Sequence, residues 1–132
     1  MIRPLLDTDY AICRDLFQTI FHPSIHDQFP RVWKSRSTSL GLWSHGALLG
    51  FALVSGTKLE YICIHESQQG RGQGSKLLQA VLSLYPVIHL EPVDDIAVCR
   101  WYESHGFHLE FIEHGRHTKR RYVHHTHNLR KI

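Results

Sequence analysis

Apolar positions along this chain switch between two periods, and the switches divide it into alternating strands and helices. Ile2 to Leu6 reads as a short strand. Behind a cap at Asp7 or Thr8, residues Ile12, Cys13, Leu16, Phe17 and Ile20 keep the i, i+4 spacing of a half-buried helix. Phe21 to Pro30 has no clear period and reads as a loop or broken helix, followed by a short helix near Arg31 to Arg36. Leu40 to Trp43 and Leu48 to Ser55 are apolar runs around Ser44-His45-Gly46, the pattern of a hairpin, and Lys58 to Ile64 follows as a third strand. Helical spacing returns from about Gly72 to Tyr85 (Leu77, Leu78, Val81, Leu82, Tyr85) and ends at Pro86.

Val87 to Leu90 is a short apolar strand. Asp94 or Asp95 then caps a helix running to about His105, which Gly106 closes as a C′ residue. His108 to Glu113 and Arg121 to Leu129 are the last two strands, around a basic loop. The order β-α-(α)-β-β-β-α-β-α-β-β predicts an α/β fold, a mixed sheet with helices on both faces.

Composition narrows the class. At 132 residues the chain has room for one domain with a proper core. The longest apolar run, Ala47 to Val54, is far too short to span a bilayer, so no membrane partner is expected. Met1-Ile2-Arg3-Pro4 has no leader pattern, which makes the cytoplasm the expected compartment. Cys13, Cys63 and Cys99 lack CxxC spacing and read as reduced, buried thiols. The net charge of +3 comes largely from Arg116, Lys119, Arg120, Arg121, Arg130 and Lys131, a solvated basic hairpin rather than a nucleic-acid site.

Chemistry concentrates where the Lys58–Ile64 strand gives way to a glycine-rich loop, Ser67-Gln68-Gln69-Gly70-Arg71-Gly72-Gln73-Gly74-Ser75-Lys76. Three glycines at alternate positions let backbone approach a ligand closely. The opening amides of the next helix have no intrahelical partner and carry the positive end of its dipole. Arg71 and Lys76 add two cations. The loop is a phosphate cradle, suited to a pyrophosphate.

Spacing separates the kinds of phosphate loop. Counted from Gly70, both GxxxxGK[ST] and GxGxxG require glycine where this chain has Ser75. Glu91, after the next strand, would suit a dinucleotide reading, but about 40 residues remain beyond it, too few for the second half of such a sheet. Gln69-x-x-Gly72-x-Gly74 does match Q/R-x-x-G-x-G/A. Downstream, Asp95-Ile96-Ala97-Val98-Cys99-Arg100-Trp101-Tyr102-Glu103-Ser104-His105-Gly106-Phe107 is similar to N-x-x-A-x-x-x-Y-E-x-x-G-F, with Asp for Asn and the alanine shifted by one. In these two motifs and in the order of its elements, nearly the whole chain resembles the GNAT superfamily of acetyl-CoA-dependent N-acetyltransferases.

That resemblance implies a mostly antiparallel sheet with a splayed central parallel pair, Lys58–Ile64 and Val87–Leu90. It implies acetyl-CoA as co-substrate, with its pyrophosphate on the backbone of Gln69, Gly70, Arg71, Gly72, Gln73, Gly74 and Ser75. Arg71 and Lys76 would screen the charge, and the backbone of Ile62 and Ile64 would pair with the pantetheine arm. Tyr102 would protonate the departing thiolate. Glu91, Glu60 or a water would take the proton from the amine, and Lys58 stands where other relatives carry a glutamate. The acceptor would meet His26, Asp27, Phe29, Glu60 and Asp94. Those carboxylates favour a cationic amine such as a polyamine, lysine or protein N-terminus, whereas the basic hairpin favours an acidic acceptor.

His124-His125-Thr126-His127 invites a metal reading. In a strand only His125 and His127 share a face, and no carboxylate or thiolate completes the set, so no metal is expected. A homodimer is left open. The departures at Asp95 and Lys58 keep one rival in view, a non-catalytic CoA-binding sensor or interaction module of the same fold.

Overall fold

The structure, a computed structural model, describes residues 1–125. The chain falls into two compact units, Met1–Val81 and Leu82–Ile132. In the first, β1 (Ile2–Pro4), β2 (Leu40–Ser44), β3 (Ala47–Ser55) and β4 (Lys58–Ile64) form consecutive antiparallel pairs. His45 (φ 50) and Gly46 (φ 80) both occupy left-handed backbone, the conformation that lets a two-residue turn follow strand twist, and they fix the β2–β3 register. Leu53 pairs with Tyr61 and Val54 with Leu59, so Glu60 is the extra residue of a bulge in β4.

Helices α1 (Tyr10–Ile20) and α2 (Gln28–Lys34) supply the rest of this core. Cys13, Leu16 and Phe17 of α1 and Phe29 and Trp33 of α2 are buried in one cluster with Phe51, Leu53 and Cys63. The Phe17 ring lies 4.9 Å from that of Phe29 and 4.8 Å from that of Tyr61. Two expectations change here. Asp7 and Thr8 lie in a 3-10 turn, Asp7–Asp9, before α1. The Asp9 carboxylate accepts the Leu6 amide at 2.8 Å and two Arg3 guanidinium bonds at 2.9 and 3.2 Å, and it makes no cap bond to α1. The second helix begins at Gln28 rather than near Arg31. Pro30 fits its first turn, where an amide would have no helical partner anyway.

The second unit begins in the last turn of α3 (Gln73–Leu84), which opens in the first. It continues through β5 (Val87–Leu90), α4 (Ile96–Ser104), β6 (His108–Glu113) and β7 (Lys119–His125). β7 pairs antiparallel with both β5 and β6. Asp95 caps α4, its Oδ1 accepting the amides of Ala97 at 2.8 Å and Val98 at 3.2 Å, and Gly106 (φ 92) ends it. Ile88, Leu90, Cys99, Tyr102, Phe107, Tyr122 and Val123 are buried. β7 starts at Lys119, two residues earlier than its apolar pattern indicates, because Lys119 and Arg120 pair with Glu113 and Ile112 across the hairpin. The expected continuation to Leu129, with His127, lies outside the described residues.

Candidate functional site

The glycine loop is built by a chain of local hydrogen bonds. At the end of β4, His65 Nδ1 accepts the Ser67 amide at 3.1 Å and starts a 3-10 turn, Glu66–Gln68. Gln69 Nε2 reaches back to the Ile64 carbonyl at 3.0 Å and fixes the loop against its strand. Gly70 (φ 77) and Gly72 (φ 78) then take backbone that side chains resist, and no atom lies within 4 Å of where a Cβ would stand on either. The first α3 bond runs from the Lys76 amide to the Gly72 carbonyl at 3.2 Å, so the amides of Gln73 and Gly74 come before it. Arg71 and Lys76 are exposed. Gln73 Oε1 is buried without a partner among the described residues. Exposed glycine backbone, helix-opening amides and two cations form the arrangement that backbone anion sites use.

In the second unit, Tyr102 is buried on α4, edge-on to Trp101 at 4.9 Å and to Phe107 at 5.5 Å. Burial pushes its phenol up to about 12. Glu91 is exposed just after β5. Asp94 is ion-paired with Arg120, which satisfies the carboxylate within its own unit. The two share a cavity of about 260 Å³ with Asp95, Cys99, Glu103 and Tyr122. There the Tyr122 hydroxyl donates to Glu103 at 2.6 Å, and that bond, with burial, holds the phenol far above its ordinary range.

On the first unit, a pocket of about 440 Å³ lies between α2 and β4, lined by Gln28, Arg31, Val32, Ser35, Glu60 and Tyr61. Four of these are spaced i, i+3, i+4, i+7 and share one side of α2, opposite the buried Phe29 and Trp33. The bulge carries Glu60 into the pocket wall, where Lys58 Nζ sits 3.5 Å from its carboxylate. Of the acceptor residues expected from the sequence, only Glu60 is in this pocket. Phe29 has no exposed surface and is a core residue, which corrects its placement among substrate contacts. His26 Nε2–H donates to the Phe21 carbonyl at 2.7 Å, and Asp27 is exposed at the start of α2. Of the residues missed, Gln28, Arg31, Val32 and Ser35 had one legible signal, their i, i+3, i+4, i+7 spacing once Pro30 is read as a first-turn proline, and Tyr61 on β4 had none.

The sequence profile of the acetyltransferase (GNAT) domain matches residues 36–109, more than half of the chain. The chain belongs to the GNAT acetyltransferase family. Solved structures agree on the fold along nearly its whole length. The chain is similar to a GNAT-family acetyltransferase, described as putative, from Desulfovibrio desulfuricans (19% identity, TM-score 0.78, covering 95% of this chain and 98% of that one). It is likewise similar to the ribosomal-protein-S18-alanine N-acetyltransferase of Escherichia coli (22%, TM-score 0.78, 95% and 92%). An aminoglycoside 6'-N-acetyltransferase solved with coenzyme A aligns at 11% identity and TM-score 0.74, over 95% of this chain and 96% of that one. A search of curated protein sequences finds no match.

The fold class read from the sequence, α/β with a mostly antiparallel sheet, is thus the GNAT fold. The open glycine backbone at Gly70 and Gly72, with the donor amides of Gln73 and Gly74 and the cations Arg71 and Lys76 beside it, fits the phosphate-bearing co-substrate of a GNAT protein. Among the described residues no cluster of three or more His, Cys, Asp or Glu is arranged to hold a metal. Among the described residues no helix is long and apolar enough to cross a membrane. His125 stacks on His108 at 5.9 Å. Burial, with His125 and His108 nearby, lowers the pKa of His124.

Proposed function

We propose that the chain is an N-acetyltransferase that moves the acetyl group of acetyl-CoA to a primary amine by direct attack on the thioester. The observation that carries this reading is the open, left-handed backbone at Gly70 and Gly72 leading into the amides of Gln73 and Gly74. These amides hold the pyrophosphate, and Arg71 and Lys76 offset its charge. Ile62 and Ile64 offer backbone groups to the pantetheine arm, whose peptide-like amides need partners once they leave water.

In the transfer, the amine lone pair forms the new C–N bond as the C–S bond breaks, and the electron pair leaves on sulfur. Tyr102 meets that sulfur. A phenol raised to about 12 stays protonated at neutral pH and is a weaker acid than a thiol of roughly 8.5. Its role is therefore to donate a hydrogen bond that steadies the leaving thiolate, which departs as the anion and takes its proton from solvent. Glu91, or less favourably the Lys58-paired Glu60, takes the ammonium proton directly or through water. Cys13 and Cys63 offer no nucleophile for a two-step route. Cys13 and Cys63 are buried, and burial raises both thiols, Cys13 to about 12.

Amine-dependent release of free thiol from acetyl-CoA, measured over a panel of polyamines, amino acids, aminoglycosides and peptides, tests this. Turnover with at least one class is expected. Tight CoA binding with no turnover on any amine would replace the enzyme with a CoA-binding module.

A further inference from the structure

The pocket between α2 and β4 has opposite polarity at its two sides. On the α2 side, Gln28 Oε1 accepts the Tyr61 hydroxyl at 2.6 Å, which orients the amide so that its Nε2 donates. Arg31 lies one turn along the same face. Among the described residues its guanidinium makes no ion pair, while Arg3, Arg14, Arg36, Arg120 and Arg121 each do. A planar fork beside an amide donor is built to receive a planar carboxylate. On the β4 side the acidic group is Glu60, half-buried and held 3.5 Å from Lys58. Arg31 and Glu60 are both close enough to Tyr61 to act on its hydroxyl, in opposite directions. The volume, about 440 Å³, lies within the range of small-molecule sites.

Resting on the acetyltransferase reading above, we infer that the acceptor is an amine that also carries a carboxylate. Arg31 and Gln28 bind the carboxylate and Glu60 faces the amine. Arg31 is then the specificity-determining residue of the pocket. Glu60 alone would favour any cationic amine. The free guanidinium breaks that tie, because an acceptor without an anion leaves it with nothing to bind, whereas a diamine brings a second cation toward it.

Matched acceptors that differ only in the carboxylate test this: ornithine against putrescine and lysine against cadaverine, by kcat/KM with acetyl-CoA saturating. The carboxylate-bearing member of each pair is expected to be preferred by about tenfold or more, the usual scale of one charge-assisted bond. The preference should disappear in Arg31→Gln mainly through KM, and it should persist in Lys34→Gln, which removes the same charge from the same helix outside the pocket. Calorimetric binding of ornithine and putrescine to the CoA-saturated protein gives a readout independent of turnover. If no amine is acetylated, the enzyme reading fails, yet ornithine should still bind more tightly than putrescine, and only with Arg31 intact. Equal or reversed preference in both assays, or a preference that survives Arg31→Gln, overturns the inference.

Discussion

Substituting Gly72 with alanine separates a structural glycine from a ligand-holding one. At φ 78 the new methyl group forces an L-residue into left-handed backbone, and with no atom within 4 Å of the Cβ position there is no added clash. The folding cost is therefore backbone strain alone, about 1–2 kcal/mol. Unfolding entropy of roughly 2 cal/mol/K per residue over 132 residues turns this into a Tm drop of about 4–7 °C. The same methyl fills the space assigned to the pyrophosphate. Losing one charge-assisted backbone bond there weakens CoA by about tenfold or more. Gly56 supplies the matched control: φ 61, no atom within 4 Å, in the β3–β4 turn at the other end of β4 from the loop. Gly56→Ala should lower Tm similarly and leave CoA affinity alone. Thermal unfolding and CoA titration of both variants decide the matter. If Gly72→Ala binds CoA like the unmodified protein, or if Gly56→Ala loses it equally, the cradle does not hold the pyrophosphate.

Three further outcomes follow from single sites. Tyr102→Phe should lower kcat by roughly 100-fold or more with CoA affinity unchanged, since one preorganised donor to developing charge is worth about that much; an unchanged kcat removes Tyr102 from the chemistry. Alkali should unfold the protein early. Cys13 and Tyr102 stay neutral in the fold up to about pH 12, whereas in the unfolded chain they ionise near 9 and 10. Stability is intact below pH 9 and falls as pH rises toward 12, by about 1.4 kcal/mol per pH unit for each group once it ionises in the unfolded chain. Chemical denaturation at stepped pH reads this, and a flat profile from 8 to 11 would contradict it. Asp95→Ala should cost about 1 kcal/mol, because two amides of α4 lose their cap; a Tm unchanged within error would mean water replaces the cap fully.

Where the period of the sequence was unbroken, its elements were legible to the residue. Lys58–Ile64, Val87–Leu90 and His108–Glu113 are strands with the expected bounds. The Asp95 cap and the Gly106 stop carry their own chemistry in the side chain and in its absence. The acceptor side was harder for two physical reasons. Pro30 reads as a boundary unless it is known to occupy a first turn, which left Gln28 and Phe29 outside the expected helix and its two faces unread. The bulge at Glu60 depends on pairing between β3 and β4, which no local pattern in β4 reveals. Charge counting alone therefore left cationic and acidic acceptors balanced. The inferred carboxylate preference rests instead on Arg31, a pocket-lining arginine with no ion pair among the described residues, which is a fact of tertiary structure.

The central claim is direct acetyl transfer, and a mass measurement on both protein and amine tests it. The protein is mixed with acetyl-CoA, with and without a reactive amine, and quenched within a turnover. Direct transfer predicts acetylated amine in equal amount to the thiol released, and a protein whose mass never changes. An acetylated protein formed without amine and consumed when amine is added would contradict the account, as would thiol release with no acetylated amine.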